Sequence, residues 1–295
     1  MNSLKQIAGG ALLALGLLPV QSAAQEGVGD VVYVPTPQVV VDEMLRMAKV
    51  GAGDFIIDLG SGDGRMVITA AKKFGARGFG VDLDTELLKL SNENARREGV
   101  ADRVKFIEQN LFETDLGQAT VITTYLLPEM NEKLRPAILR LRPGTRVVAH
   151  DYHMGEWHAD TQKTLDVPEK TVGNPGKSYL YLWTVPARIA GRWQAQVKTG
   201  AQSANWVFDF EQRFQVFDGT AQNGSQKIKL RAPKLDGDKM AFMFFTRPGV
   251  NSTRHEFKGT AKGDMIEGTV RIGESGAQTQ RSWSAKLVQR AESPQ

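Results

Sequence analysis

The stretch from Asp54 to Arg65 reads Asp-Phe-Ile-Ile-Asp-Leu-Gly-Ser-Gly-Asp-Gly-Arg, and it limits what this chain can fold into more than any other. Phe55, Ile56 and Ile57 form a short β-preferring apolar run that ends at Asp58. Gly60, Gly62 and Gly64 follow, and then a helical pattern begins. The stretch therefore reads as strand, glycine turn, helix. Alternate glycines tolerate positive φ and let the backbone approach a ligand closely. A Gly-x-Gly-x-x-Gly dinucleotide fingerprint would need glycine where the chain has Arg65, so the spacing argues against that class.

At 295 residues the chain exceeds one typical domain. It contains no cysteine, which excludes disulfides, thiolate metal sites and cysteine nucleophiles. Three of its four histidines, His150, His153 and His158, lie in one short stretch, but spacings of three and five do not put all three on one helix face, and no metal site is assigned. The net charge of +4 is unevenly divided. Up to Pro186 there are 20 basic and 23 acidic residues, and after it 17 and 10. The basic residues of the tail are spread along strand-like segments rather than clustered with aromatics, so there is no strong nucleic-acid signal.

Residues 1–25 read as a targeting segment: Lys5 gives a positive start, Ile7 to Val20 is apolar, and Ser22-Ala23-Ala24 supplies small residues for cleavage. Export to the periplasm or beyond is expected, with a membrane anchor through residues 7–20 as the alternative. The apolar run is shorter than the ~20 residues a spanning helix needs. Residues 26–186 then form an α/β domain. Thr36 is expected to cap a helix carrying Val40, Met44, Met47 and Ala48, with Pro37 in its first turn. Helices are expected over Met66 to Phe74 and Asp84 to Glu98, with Asp84 as N-cap. A further helix stripe of Met130, Leu134, Ile138 and Leu141 is stopped by Pro143-Gly144. Strands are expected over Gly78 to Val81, Val104 to Ile107, Thr120 to Tyr125 and Arg146 to His150, and after a polar interval over Ser178 to Val185. Residues 187–295 read as β throughout, about eight short strands forming an antiparallel meander closed into a small barrel. Turns are expected at Asp218-Gly219, Asn223-Gly224, Asp236-Gly237, Pro248-Gly249 and Lys262-Gly263.

The Asp58 to Arg65 turn followed by Gly80-Val81-Asp82, with acids 24 positions apart on successive strand ends, resembles the first two motifs of the class I S-adenosyl-L-methionine-dependent methyltransferases. The resemblance implies a Rossmann-like sheet, followed here by the barrel-like all-β domain. It also implies that Asp58, Gly60, Gly62, Asp63 and Gly64 hold the methionine portion and Asp82 the ribose hydroxyls. Asn110 and Leu111 stand where such enzymes often carry an acid for the adenine amino group, and the Asn110 amide oxygen can accept in its place. Phe112 either flanks the ring or is core.

A closer likeness covers roughly Tyr33 to Trp157. The lead-in Tyr33-Val34-Pro35-Thr36, the glycine turn running into Met66-Val67-Ile68, Leu127-Pro128-Glu129-Met130 and Trp157 resemble the membrane-anchored mitochondrial protein-lysine methyltransferases that act on an ATP synthase subunit and the adenine nucleotide translocase. That likeness implies that Tyr33 lies near the transferred methyl, that Thr36 belongs to the cofactor site, and that Tyr125 and Asp151 line the acceptor slot. The expected acceptor is a protein lysine, with membrane proteins among the candidates. The alternatives are a small or lipid-borne apolar acceptor presented by the barrel, and an exported binding protein that keeps the fold without turnover. Gly191-Arg192-Trp193 is similar to the opening of lipocalin-like barrels.

Overall fold

The computed structural model describes residues 32–199, 202–246, 252–274 and 277–291. The targeting segment and the Pro248-Gly249 turn lie outside the described residues. Among the described residues no helix is long and apolar enough to cross a membrane.

The first layer system is a seven-stranded sheet of β1 (Phe55–Leu59), β2 (Arg77–Asp82), β3 (Val104–Glu108), β4 (Val121–Thr124), β5 (Arg146–His150), β6 (Thr161–Val167) and β7 (Gly176–Thr184). Their order is β3-β2-β1-β4-β5-β7-β6. Neighbours among β1 to β5 are parallel, and β7 runs antiparallel to both β5 and β6. The chain builds outward from β1 to β3 and then returns to β4 on the other side, which opens a crevice beyond the carboxyl ends of β1 and β4. Helices α1 (Gln38–Met47), α2 (Arg65–Phe74), α3 (Thr85–Arg97) and α4 (Pro128–Ile138) cover the sheet. Alternation along β1 sends Ile56 into a core with Val40, Val41, Met44 and Leu45 of α1, and Ile57 into the opposite core with Leu134, Ile138, Trp157 and Trp183.

Local signals set these elements with three exceptions. Pro37, not Thr36, is the N-cap residue of α1, and it makes no side-chain cap; the Thr36 hydroxyl is instead 3.2 Å from His150 Nδ1. Helix α4 ends at Ile138, before Leu141, because its end tightens: the Arg140 and Leu141 N–H groups donate three residues back, to the Ala137 and Ile138 carbonyls. Strand β6 occupies the stretch read as a polar interval. It is an edge strand with mostly exposed polar side chains, so it carries no apolar alternation.

The second sheet is wholly antiparallel: β8 (Gly191–Thr199), β9 (Gln202–Arg213), β10 (Val216–Asn223), β11 (Gln226–Lys229), β12 (Arg231–Asp236), β13 (Lys239–Thr246), β14 (Thr253–Lys262), β15 (Met265–Glu274) and β16 (Ala277–Arg290). The order β11-β10-β9-β8-β16-β15-β14-β13-β12 brings the last strand beside the first, and the edges β11 and β12 are consecutive in the chain, so the sheet nearly closes. Nine strands stand where eight were expected. The extra one, β12, contains Pro233 at an irregularity on the edge, where a missing N–H costs little. Asp218-Gly219 is no turn: both residues pair within β10, and a Cβ on Gly219 would meet the Asp209 carbonyl oxygen at 2.2 Å. The reversal falls instead at Phe214-Gln215, with Phe214 at φ 55°.

The barrel interior is filled by aromatic rings. Phe208 lies edge-on to Phe242, Phe257 and Trp283 at centroid distances of 5.1, 5.3 and 5.9 Å, and Phe242 stacks on Phe257 at 4.9 Å. Such packing leaves the centre of the barrel to its own side chains rather than to an apolar cargo. The Phe214-Gln215 turn docks on the first sheet. Gln215 Oε1 accepts from Trp157 Nε1–H at 2.9 Å, while its Nε2 donates to the His158 carbonyl at 2.7 Å and to Asp160 at 3.0 Å. Phe214 stacks on Trp157 at 6.2 Å, and the Arg135 guanidinium lies 5.6 Å from the Phe214 ring centroid.

Gln215→Ala is expected to lower unfolding stability by about 1–3 kcal/mol, because the buried Trp157 N–H loses its acceptor. Guanidinium titration followed by tryptophan fluorescence measures this; an unchanged midpoint would show that the docked turn does not stabilise the first sheet.

Candidate functional site

A cleft of about 300 Å³ opens at the crevice beyond β1 and β4, a volume suited to a small organic ligand. Its floor is the turn between β1 and α2, which lines it through Gly60, Ser61, Asp63 and Arg65; Gly62 and Gly64, expected at the site, lie in the same turn but do not line the cleft. Gly60, Gly62 and Gly64 all have positive φ, at 79°, 52° and 80°. At Gly62 a Cβ would lie 2.3 Å from the Tyr33 ring, and at Gly64 one would lie 2.5 Å from Phe106. Close packing thus demands glycine at these two positions, beyond the backbone conformation itself.

The lead-in before α1 forms the roof. Arg65 ties it down by donating from Nη1 to the Thr36 carbonyl at 2.7 Å, and its Nη2 and Nε grip Asp63 at 2.6 and 2.9 Å. Tyr33 hydrogen-bonds to Asp63, and burial together with that carboxylate pushes its hydroxyl pKa up to about 12. Tyr33 therefore stays neutral, with its ring over Gly62. Asp63 lines the cleft as expected, but the Arg65 fork occupies its carboxylate.

Asp82 lies at the end of β2. One oxygen accepts from the Gly62 N–H at 2.8 Å and the other from the Asp84 N–H at 3.1 Å, which leaves lone pairs directed at the cleft for hydroxyl donors. Asp84 caps α3, accepting from the Glu86 and Leu87 N–H groups. Asp58 is buried at the end of β1 and accepts from the Thr123 hydroxyl. Burial, with Asp82 and Asp63 nearby, pushes its pKa up to about 7. Asn110 and Leu111 line the cleft where the sequence puts them. However, the Asn110 amide oxygen already accepts from the Phe112 N–H at 3.0 Å, capping a single 3-10 turn, so a lone pair rather than the whole group remains for a ligand. Lys133 Nζ stands 4.0 Å from the centroid of the Phe112 ring, and both residues line the cleft.

At the other end of the cleft, Tyr125 lines the wall and donates to Asp151 Oδ2 at 3.2 Å. Burial and Asp151 hold the Tyr125 hydroxyl pKa well above its ordinary value. Asp151 itself does not line the cleft, contrary to expectation. It is buried behind Tyr125 with left-handed φ of 62°, a conformation Asp tolerates better than most residues, and its Oδ2 pairs with Lys170. His150 is buried between Thr36 and Ser178, and burial depresses its pKa to about 4, so it is neutral. His153 Nδ1 accepts from the Gly155 N–H, and the His158 carbonyl accepts from Gln215, so the three histidines do not converge. Among the described residues no group of three or more His, Cys, Asp or Glu is arranged to hold a metal ion.

Sequence reasoning missed Arg65 and Lys170, whose roles come from long-range contacts, and also Ser61 and Thr124. Ser61 Oγ and Thr124 Oγ1 are buried in residues lining the cleft and have no hydrogen-bond partner among the described residues. Unpartnered buried hydroxyls are costly unless a ligand satisfies them. With the glycine floor and the two strand-end acids, they fit a ligand bearing hydroxyl and ammonium groups, as S-adenosyl-L-methionine does.

Asp58 gives this site a pH signature. An unfolded Asp ionises near 3.9, whereas the folded group ionises near 7. Below pH 3.9 both states are protonated and nothing is lost. As pH rises toward 7 the unfolded chain releases the proton first, so the folded state is destabilised, by roughly 4 kcal/mol once both have titrated. Asp58→Asn is expected to remove this fall and to be the more stable protein at pH 8; parallel curves for variant and wild type across pH 4–8 would exclude the assignment.

The family model for the ANTKMT methyltransferase domain matches residues 58–161. A protein-lysine N-methyltransferase of Saccharolobus islandicus is 44% identical over 128 residues, which span 43% of this chain and 80% of that protein. A lysine N-methyltransferase of Mus musculus, named for an ATP synthase subunit, is 33% identical over 43% of this chain, and the chain spans only about half, 51%, of its length. A crystal structure of an RNA methyltransferase from Salinibacter ruber in complex with S-adenosyl-L-homocysteine is 48% identical, covering 53% of this chain and 96% of that one, with a TM-score of 0.48. None of these matches spans much more than half of the chain. On the archaeal match, the chain belongs to the protein-lysine N-methyltransferase family of S-adenosyl-L-methionine-dependent methyltransferases.

Proposed function

We propose that this chain transfers a methyl group from S-adenosyl-L-methionine to the ε-amino group of a lysine in a protein. The observation that carries the reading is the pairing, within one cleft, of a glycine floor between two strand-end acids with aromatic rings at its ends. The archaeal relative's name supplies the acceptor class. Bound in the cleft, the cofactor supplies a methyl group already activated on a sulfonium.

In this reading Asp82 holds the ribose hydroxyls. Asp58, together with the backbone of Gly60, holds the methionine end, while Gly62 and Gly64 let Tyr33 and Phe106 pack onto the turn. Asp63 acts at one remove, by fixing Arg65 and through it the Thr36 carbonyl and the roof. Asn110, Leu111 and Phe112 frame the adenine end. Tyr33 and Tyr125 flank the place of transfer, where π faces suit a sulfonium or an ammonium. The attacking amine must be neutral, and at pH 7 deprotonating a lysine of ordinary pKa costs about 4–5 kcal/mol. Tyr125 and Tyr33 are too weakly acidic to supply a base, so the chain contributes burial and alignment.

The targeting pattern of residues 1–25 supports an enzyme that acts outside the cytosol, and the mitochondrial likeness supports an acceptor embedded in a membrane. The aromatic filling of the barrel gives no support to an apolar small-molecule acceptor held there.

Incubating the chain from Gln25 onward with methyl-labelled cofactor and membrane protein extracts, followed by acid hydrolysis, is expected to yield labelled ε-N-methyllysine. Label confined to RNA or to an organic-solvent extract would overturn the proposal. Asp82→Ala is expected to weaken binding of S-adenosyl-L-homocysteine by about 1–3 kcal/mol, a factor of roughly 5 to 150 in Kd. An unchanged titration isotherm would remove Asp82 from the site.

A further inference from the structure

The loop between β6 and β7 carries a buried ammonium that neither the cofactor cleft nor the sheet requires. The side chain of Lys170 is only 4% exposed. Its Nζ pairs with Asp151 Oδ2 and donates to the Lys177 carbonyl at 2.8 Å. Its backbone is pinned at both groups, donating to the Val167 carbonyl and accepting from the Gly176 N–H, each at 2.9 Å. Burying a lysine for packing alone is costly, and a leucine or methionine would fill the space without the desolvation penalty.

The ion pair ends on Tyr125. Asp151 Oδ1 accepts from the Tyr179 N–H at 3.1 Å and lies 3.4 Å from His150 Nε2, so the backbone of β7 holds this oxygen. Oδ2 is shared between Lys170 and the Tyr125 hydroxyl. The Tyr125 ring has little freedom, with its centroid 4.0 Å from that of His150 and 6.1 Å from that of Tyr152. Gly173, in the same loop at φ 73°, closes over the pair: a Cβ there would stand 3.1 Å from both Asp151 Oδ2 and the Tyr125 oxygen. Lys170 and Gly173 thus press one loop onto the hydroxyl of Tyr125, which connects this buried network to the cleft wall.

We propose that Lys170 is a positioning residue for methyl transfer: by anchoring Asp151 as acceptor of the Tyr125 hydroxyl, it leaves the Tyr125 oxygen lone pairs to receive an N–H of the attacking amine. A hydroxyl whose proton is committed to Asp151 can only accept from its other side. The acceptor nitrogen held that way keeps its own lone pair for the methyl carbon. The nitrogen–carbon bond then forms as the carbon–sulfur bond breaks, and the sulfonium charge passes to the nitrogen, which afterwards releases a proton to water. This inference rests on the lysine-methyltransferase reading above.

The test is a double-mutant cycle of Lys170→Met and Tyr125→Phe on the chain from Gln25 onward, with poly-L-lysine as acceptor. Lys170→Met is expected to lower kcat about 10- to 100-fold while the Kd for S-adenosyl-L-homocysteine stays within twofold. Adding it to Tyr125→Phe is expected to cost little more, and Lys170→Arg is expected to restore part of the rate. Losses that multiply instead would overturn the inference, since Lys170 would then act independently of Tyr125. The same four proteins are unfolded in guanidinium, a readout that needs no acceptor. Non-additive midpoint shifts support the link, and additive shifts overturn it. A wild type that leaves poly-L-lysine unmethylated but shows non-additive shifts counts against the lysine acceptor and not against the link.

Discussion

Three carboxylates, Asp58, Asp63 and Asp82, converge on a glycine turn of a few residues, and like charges crowded away from water cannot all remain ionised and unpaired. The structure resolves the conflict in three ways. Asp63 takes a guanidinium from Arg65, Asp82 takes two backbone N–H groups, and Asp58, with a single hydroxyl donor, keeps its proton to near neutrality. The first solution organises the roof, since the same guanidinium holds the Thr36 carbonyl. The second organises the floor, since it fixes the Gly62 amide. The third leaves a group whose charge can respond to a bound cation, which a paired carboxylate could not do.

What was legible in the sequence was local. The glycine turn, the acids ending β1 and β2 and the cap at Asp84 each follow from residues within a few positions of one another. The missed features are those that distance decides. Edge strands β6 and β12 bury too little to show alternation, and Pro233 disguises the second. Gly219 looks like a turn residue because what requires glycine there, the close approach of the Asp209 carbonyl, lies on the neighbouring strand. Thr36 looks like a cap, yet its hydroxyl faces His150, 114 positions away. Asp151 looks like part of the acceptor slot, and only the position of Lys170 reveals that it stands behind Tyr125 instead.

The Phe214-Gln215 turn forms one junction between the two sheets. Trp157 packs against Trp183 on one side and Phe214 on the other, and Gln215 occupies its N–H. The residues that carry the likeness to the lysine methyltransferases therefore include one whose packing depends on the β-rich half, although the family match itself stops at residue 161. A second seam runs from the Ala187 N–H to the Gly237 carbonyl at 2.8 Å, with Gly237 lying close against Gly144. The barrel thus braces β5 at both ends, through the turn that precedes it and through the loop that follows it, whose first residue is Asp151.

The pairing of β16 with β8 has a consequence for how the molecule is made. Trp283 sits opposite Val197 and Arg290 opposite Gly191, contacts that span most of the β-rich half. Chain closure over such separations is slow, and it cannot begin until the final strand has been synthesised. The seven-stranded sheet, by contrast, is complete at Thr184. It can condense while the barrel is still an unpaired meander with an open edge at β8. During that interval the emerging strands are exposed to pairing with other chains, so the demand on chaperones falls on the β-rich half, after the first sheet has formed.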